Sequence, residues 1–444
     1  MKPSHFLLAL ALAAALHAGA EAPPFMTLIV NDPADKALAA ALERYPSCFD
    51  AVAAPADMKG KHIFRNLPDE RSPSLGIIMP ALSFAQSPQP VASLGGGEGF
   101  ASGATAHGLC VKAFLLFAYG AEGLEFDFMR AGHEPPAWYA NTYFSELAFW
   151  RPFLQSYVRH NQGTRPGGLL PCVGKEADLN LTVNLSLAPL GVPLCPGSPY
   201  PVGYLLSAED VASLGDVELQ RVLSGGVLLD GGAVAKLQER GYGEKIQLTA
   251  KPAQYACERF TDDELNVDRV GYAWKRTVPS PATPFALFPA TEAARVIGRY
   301  ETDGGQTAEA ASVLIELPSG GRLAAFGFDG FSPCASEARR RQLLLAADWA
   351  AQHRLPVFVE NAAHTVVIPR VTQAGDLRSV LLLNASIDTQ PPVTLRLRGC
   401  PDGLTHIEWL TPKDKPVALA VRWEGEDALV VLPALTPWQV GWLR

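Results

Sequence analysis

Hydrophobic residues in the first third of the chain occur in short blocks that alternate with longer helical patterns. "FMTLIV" and "FDAVAA" are β-rich apolar runs, and "ADKALAAALERY" between them has the apolar spacing of a helix. Further along, "HGLCVKAFLLFAYG" predicts a buried helix that ends at its final glycine, and "EGLEFDFM" predicts another strand. Repeated strand–helix units of this kind predict a parallel sheet with helices on its outside.

Two features of this region need separate mention. The strand before the buried helix has two competing candidates, "SLGIIMPAL" and "QPVASL". A helix is predicted from about residue 136 to 160, because apolar side chains there recur at steps of four and three and form one stripe. The stripe consists of Tyr143, Leu147, Trp150, Leu154 and Tyr157.

A second α/β pattern follows the turn-rich junction "NQGTRPGGLLP". "VGYLLS" and "GGVLLDGG" predict strands, each with a helical pattern after it. The proline-rich residues from about 249 to 291 predict an irregular excursion, and a hairpin is expected to turn at residues 319–321. A helix over "SEARRRQLLLAADWAAQH" completes this part, which we expect to be a flavodoxin-like α/β domain.

From about Pro356 the hydrophobic period changes to two. In "VTLRLRG", Val393, Leu395 and Leu397 share one face, and this alternation predicts a small antiparallel β-sandwich. The fold class predicted for the whole chain is therefore α/β plus all-β. A partial (β/α)8-type barrel is expected over residues 23–162, the flavodoxin-like domain over 163–355 and the sandwich over 356–444.

The first twenty-two residues, "MKPSHFLLALALAAALHAGAEA", admit two interpretations. A lysine, an apolar run too short to span a bilayer and small residues before a cleavage point are typical of a signal peptide. The protein would then be secreted or periplasmic. The same residues also suit a buried helix of the barrel, and in that case a cytoplasmic location is expected.

Composition excludes several classes of function. The chain has 444 residues, a net charge of −8 and a pI near 5.7, so neither nucleic acid nor an anionic membrane is an expected partner. Its seven cysteines contain no CxxC pair, which argues against a disulfide framework and against a structural zinc site. We predict no cofactor and no metal.

Candidate chemistry begins with "LGGGEGF", which presents Glu98 among four glycines. Glycines leave room for a substrate to approach, although a glutamate in such a loop can equally be a solvated one. On the strand "EGLEFDFM", Glu125 and Asp127 point away from Leu124 and Phe126. Since helices cover the apolar face, both carboxylates are expected to point inward, with Asp127 nearer the active end of a β/α barrel.

Polar and aromatic residues lie just beyond that strand. Carboxylates, an arginine and flat rings are the groups that bind and cleave sugars. We therefore predict Glu98 and Asp127 as catalytic residues, and the substrate-binding residues are expected to be Arg130, His133, Trp138 and Tyr139. Two structural interpretations stay open, since Asp127 can form an ion pair with Arg130 and the two aromatic residues can be core residues.

The order of the parts resembles the β-galactosidases of glycoside hydrolase family 42 and their relatives. "AFLLFAYGAEGLEFDFMRAG" looks like that family's last helix and eighth strand, and "PFMTLIVND" and "FDAVAA" look like strands five and six. The middle part is similar to the domain through which those enzymes trimerise. The resemblance implies a retaining β-glycosidase that acts on carbohydrate and assembles as a homo-oligomer.

The sequence departs from that family at its catalytic residues. The resemblance implies an acid/base glutamate after an asparagine on strand four, but the chain contains no Asn-Glu dipeptide. Glu98 is the best match for the nucleophile on strand seven. Half a barrel would also expose sheet edges. Two functions are therefore expected: a β-galactosidase-type hydrolase, or a non-catalytic carbohydrate-binding or assembly protein derived from one.

Overall fold

The strands of the protein form three sheets, of which the first is parallel, the second mixed and the third antiparallel. The computed structural model describes residues 23–30, 36–57, 59, 61–62, 78, 81–82, 84–86, 90–95, 105–127, 140–171, 183–255, 257–266, 269–275, 284–327, 336–361 and 364–444. The three sheets follow one another along the chain, as the change of hydrophobic period predicted.

The first sheet has five parallel strands in the order β2-β1-β5-β4-β3. They are β1 (Met26–Ile29), β2 (Ala51–Ala53), β3 (Lys61–His62), β4 (Val91–Gly95) and β5 (Gly123–Asp127). Three helices accompany them: α1 (Lys36–Arg44), α2 (Ala106–Ala118) and α3 (Ser145–His160). Pairing of the first strand with the last gives β1 a partner on both of its edges.

The strand order indicates a barrel-type winding. The steps from β1 to β2, from β3 to β4 and from β4 to β5 all move one place in the same direction across the sheet. Right-handed crossovers that step in one direction place their helices on one face of the sheet. We call this helix-covered side the outer face and the opposite side the inner face.

The outer face carries the apolar core of this region. Leu124 and Phe126 are fully buried and pack in one cluster with α2 and α3. Phe114 of α2 meets Tyr157 of α3 edge to face, with 4.8 Å between ring centroids. α2 ends as predicted at Gly120, whose φ of +105° is a conformation that glycine adopts without strain.

Two expectations about this sheet are resolved by the strand pairing. "QPVASL" contains the strand β4, whereas the described residues of "SLGIIMPAL", 78 and 81–82, are helical and buried. The placement of the first two strands at barrel positions five and six was wrong. Strands five and eight are not neighbours in an eight-stranded barrel, but β1 pairs directly with β5, as a first strand pairs with an eighth.

The second sheet has ten described strands, and the first of them along the chain lies at the end of the predicted junction. β7 (Leu169–Pro171), β8 (Gly203–Leu206), β9 (Gly226–Asp230) and the later β16 (Arg322–Phe326) pair in parallel. Helices α4 (Ala208–Ser213), α5 (Asp216–Leu223), α6 (Gly231–Glu239), α7 (Gly243–Ile246) and α8 (Glu337–Ala350) belong to this part. The strand β6 (Arg165–Pro166) of the same junction instead pairs with the third sheet.

The other six strands of the second sheet correct an expectation. Residues 249–291 were expected to be irregular, but half of their described residues form strands, and these pair antiparallel. The sheet is therefore mixed rather than the purely parallel sheet of a flavodoxin-like fold. The added strands are β10 (Leu248–Pro252), β11 (Cys257–Phe260), β12 (Ala273–Lys275), β13 (Phe285–Pro289), β14 (Arg295–Glu301) and β15 (Thr307–Glu316).

A buried polar network joins α8 to this sheet. The Glu258 carboxylate is fully buried and lies 3.0 Å from the Arg339 guanidinium, and it also accepts a hydrogen bond from the Ser312 hydroxyl. Gln342 accepts from Arg339 at 2.5 Å and donates to Asn266 at 3.1 Å. The network therefore satisfies a charge that would be costly to bury alone.

The third sheet is antiparallel, and its inward residues alternate as predicted: Val393, Leu395 and Leu397 are completely buried. Its strands are β17 (Val357–Val359), β18 (Thr365–Val371), β19 (Leu377–Asn384), β20 (Thr394–Leu397), β21 (His406–Leu410), β22 (Val417–Glu424), β23 (Asp427–Val431) and β24 (Val440–Leu443). β22 pairs with β21 through one half of its length and with β23 through the other, which folds the sheet into two layers.

The third sheet packs directly against the helices of the first. Asn161, which follows α3, accepts a hydrogen bond of 2.6 Å from Ser379. Arg370 of β18 is buried and donates 2.8 Å to the carbonyl of Ala118, at the negative end of the α2 dipole. These contacts fix the end of α2, and with it the start of β5, against the C-terminal part of the chain.

Candidate active site

The carboxyl edge of the first sheet brings the two predicted catalytic segments together. In the parallel register of β4 and β5, Gly95 lies opposite Asp127 and Ser93 lies opposite Glu125. The loop "LGGGEGF" therefore leaves the sheet directly beside Asp127. Ligands of parallel sheets bind at this edge, because loops from several strands meet there.

The inner face of the sheet is polar and buried near this edge. Thr27, Ser93, Glu125 and Asp127 alternate with core residues of the outer face and are between 0% and 7% exposed. Thr27 and Ser93 are the register partners of Glu125 on its two sides. A row of polar side chains thus crosses the middle of the sheet, with Asp127 one pleat closer to the edge.

Glu125 is held in place by two neutral donors. The Ser93 hydroxyl donates to one carboxylate oxygen at 2.6 Å, and the backbone N–H of Lys59 donates to the other at 3.0 Å. Both bonds come from segments that are distant in sequence. The sequence analysis did not predict these partners. The alternation in "VASLG" could have indicated Ser93, because it places Ser93 on the other face of the strand from Ala92 and Leu94.

Asp127 is the one predicted site residue that the structure describes, and it is 1% exposed. Its side chain lies on the inner face, as the strand pattern predicted. The other five, Glu98, Arg130, His133, Trp138 and Tyr139, lie outside the described residues. In the sequence, Glu98 follows Gly95, the last residue of β4, by three residues.

The loop that carries Glu98 ends at a helix with a fixed start. Thr105 caps α2 by accepting a 3.0 Å hydrogen bond from Gly108. His107 lies 3.2 Å from the carbonyl oxygen of Trp438 through its Nε2 and 3.9 Å from Glu146 through its Nδ1. The start of α2 is therefore tied both to α3 and to the C-terminal part of the chain.

Cys48 and Cys110 are buried in the apolar core of this region. Burial raises the pKa of Cys48 to about 12 and that of Cys110 well above its usual range, so neither forms a thiolate near neutral pH. Among the described residues there is no group of three or more His, Cys, Asp or Glu side chains that could hold a metal ion. None of the described helices is both long and apolar enough to cross a membrane.

Comparison with known proteins shows a glycosidase-like fold. No family model and no curated protein matches the sequence. Among solved structures, the chain is similar to alpha-L-fucosidase isoenzyme 2 from Paenibacillus thiaminolyticus, with a TM-score of 0.57 and 13% identity over 82% of this chain. A rhamnosidase from Novosphingobium sp. PP1Y is matched at a TM-score of 0.41 and 10% identity, over 91% of this chain and 38% of that one.

The extent of the likeness limits what it shows. This chain spans 62% of the length of the fucosidase. At 13% identity the likeness concerns the fold, and fold alone does not determine the reaction. It does not single out glycoside hydrolase family 42 either.

Proposed function

We propose that this protein is a glycoside hydrolase whose active site lies at the carboxyl edge of the first sheet. The observation that supports the proposal is the register of Gly95 against Asp127, since Gly95 precedes Glu98 by three residues and lies opposite a buried inward aspartate. Most glycoside hydrolases cleave the glycosidic bond with a pair of carboxyl groups.

In the proposed reaction Glu98 is the nucleophile and Asp127 the acid/base. Asp127 would protonate the leaving oxygen while the Glu98 carboxylate attacks the anomeric carbon, and water would then release the sugar with retention of configuration. Retention requires the two carboxyl groups to lie about 5 to 5.5 Å apart.

The substrate class we propose is a β-linked glycoside, of β-galactoside type. Arg130 and His133 would bind sugar hydroxyl groups, and Trp138 and Tyr139 would stack on the apolar faces of the sugar rings. An α-L-fucoside is the other substrate to test, because the similar solved structure is named as a fucosidase. We also propose a homo-oligomer, a trimer by analogy, which light scattering of the purified protein would test.

The experiment is hydrolysis of 4-nitrophenyl β-D-galactoside and 4-nitrophenyl α-L-fucoside by the full chain and its variants. Glu98→Gln and Asp127→Asn are each expected to reduce kcat by about 10³-fold or more. Glu122→Gln is the matched control, because Glu122 is an exposed carboxylate at the opposite end of β5. Rates unchanged in Glu98→Gln and Asp127→Asn would refute the proposed site.

A second function is favoured by one structural observation. The backbone N–H of Lys59, in the connection from β2 to β3, bonds to Glu125 on the inner face, a position that strand side chains alone fill in a complete barrel. A non-catalytic carbohydrate-binding or assembly protein would tolerate this arrangement. It predicts binding of galactose or fucose by calorimetry and a defined oligomer, with no turnover of either aryl glycoside.

A further inference from the structure

The connection between β2 and β3 takes an unusual path. β2 and β3 lie at opposite ends of the sheet order, yet only residues 54–60 separate them. Parallel strands normally need a crossover of about a dozen residues or more, because the chain must return from the end of one strand to the start of the next. Residues 54–60 must make this return in a short path across the sheet.

The hydrogen bonds show which face the connection crosses. The outer face is covered by helices, whereas the Lys59 amide bonds to Glu125, whose side chain is on the inner face. β5, which carries Glu125, is the central strand of the five. The connection therefore passes over the middle of the inner face at the level of Glu125.

Burial shows what the connection does there. Glu125 is 5% exposed, but the described residues 56, 57 and 59 of the connection are exposed to solvent. At Lys59 an exposed part of the connection thus meets the buried Glu125 carboxylate directly. Ser93 holds the other oxygen of the same carboxylate from β4, so Glu125 joins the connection to the sheet.

The same strand places this junction next to the proposed site. Asp127 follows Glu125 by two residues on one face of β5, a separation of roughly 7 Å along the strand. Whatever holds the connection at Glu125 therefore sets how close the chain approaches a ligand at Asp127.

We infer that Glu125 is a positioning residue, which fixes the connection 54–60 as one wall of the sugar site at Asp127. This inference rests on the proposed function for the nature of the ligand, but the junction itself is testable without it. The role requires a hydrogen-bonding group of the right shape and not a negative charge. Glutamine can accept from the Lys59 amide and donate to the Ser93 hydroxyl, whereas alanine can do neither.

The first experiment measures trypsin cleavage after the exposed Lys59 in the native full chain, with the fragment that begins at Gly60 identified by N-terminal sequencing. Glu125→Ala is expected to raise this cleavage rate roughly tenfold or more, since proteolysis follows local opening. Glu125→Gln should stay within about twofold of the unchanged protein. Cleavage after the exposed Lys413, in the third sheet, is the internal control for global unfolding.

The outcomes are decisive in both directions. An unchanged rate in Glu125→Ala, or a rate in Glu125→Gln equal to that of Glu125→Ala, would overturn the inference. The cleavage rates do not depend on catalysis. If the protein proves inactive on every glycoside, the proposed function is refuted, but the trypsin assay still tests whether Glu125 fixes the connection.

The second experiment separates kcat from KM on whichever aryl glycoside is hydrolysed. Glu125→Ala is expected to raise KM several-fold with a smaller change in kcat, and Glu125→Gln should restore both to within about twofold. A fall in kcat of more than about 100-fold in Glu125→Gln, with trypsin resistance intact, would make Glu125 a catalytic group and contradict the inference.

Discussion

The first and second sheets each bury a glutamate on a strand, and they neutralise it in different ways. Glu258 of the second sheet lies 3.0 Å from Arg339 and accepts from Ser312. Glu125 of the first sheet is bonded by the Ser93 hydroxyl and the Lys59 amide. Glu258 is thus held by a buried cation, whereas the Ser93 and Lys59 donors of Glu125 are neutral groups.

This difference separates a structural role from a functional one. A buried ion pair between Glu258 and Arg339 fixes how α8 sits on the second sheet. Carboxylates on the inner face of the first sheet instead lie at the edge where parallel sheets bind their ligands. The largest expected effect on stability therefore belongs to the second sheet, and the largest on activity to the first.

Removal of the cation should have the largest effect on stability. Arg339→Met leaves Glu258 buried without its cation, and we expect the free energy of unfolding to fall by about 3–5 kcal/mol. Urea denaturation followed by circular dichroism measures it. The double variant Glu258→Gln/Arg339→Met should lose less than the sum of its single changes, and strict additivity would argue against direct coupling.

Removal of the Glu125 carboxylate should lower the free energy of unfolding by less than removal of Arg339. Glu125→Ala leaves the Ser93 hydroxyl and the Lys59 amide without this acceptor, and we expect a loss of about 2 kcal/mol in the same assay. Glu125→Gln should lose less than about 1 kcal/mol, because it can keep both bonds. A loss in Glu125→Gln as large as in Arg339→Met would show that the charge matters equally in both sheets.

A third carboxylate, that of Asp230, makes the stability of the protein depend on pH. Burial raises the pKa of Asp230 to about 7 from 3.8, and the charges of Asp210 and Glu209 add to the rise. The folded state therefore holds a proton that the unfolded state releases between about pH 4 and pH 7, so stability falls as pH rises through this window.

Asp230→Asn should remove the fall in stability between about pH 4 and pH 7, because asparagine does not titrate. Asparagine can still accept the 2.6 Å bond from the Ala233 amide at the start of α6, so we expect a gain of about 1–2 kcal/mol at pH 8 and little change at pH 4. Thermal unfolding at the two pH values measures the difference. A gain of equal size at both would assign the effect to something other than the proton.

The smallest effect is expected for an exposed pair. Arg422 donates 2.7 Å to Glu424 on the surface of the third sheet, and its side chain is 73% exposed. Arg422→Met should change the free energy of unfolding by less than about 0.5 kcal/mol. A loss that approaches the one in Arg339→Met would mean that burial does not control the strength of these pairs.

Local patterns predicted most of the secondary structure. The four-and-three spacing of Leu147, Trp150 and Leu154 gives α3 a buried stripe, and the period-two run around Leu395 gives a strand of the third sheet. Such spacings are properties of a few neighbouring residues, so they can be interpreted without the rest of the chain. The inward orientation of Glu125 and Asp127 followed from the same alternation.

Expectations failed where the outcome depended on distant partners. Residues 249–291 contain proline-rich stretches that look irregular by themselves, but they form strands because other strands pair with them. The apolar run "SLGIIMPAL" suits a strand and a buried helix equally, and packing against the core decided for the helix in its described residues.

The sequence by itself determined the parallel first sheet, the antiparallel third sheet and the face on which β5 carries its polar residues. Only the tertiary structure decided that β1 pairs with β5, that Lys59 meets Glu125 and that Glu258 meets Arg339. The physical reason is range. Helix and strand periods are set by the local backbone, whereas strand pairing and buried hydrogen bonds depend on which distant segments the chain brings together.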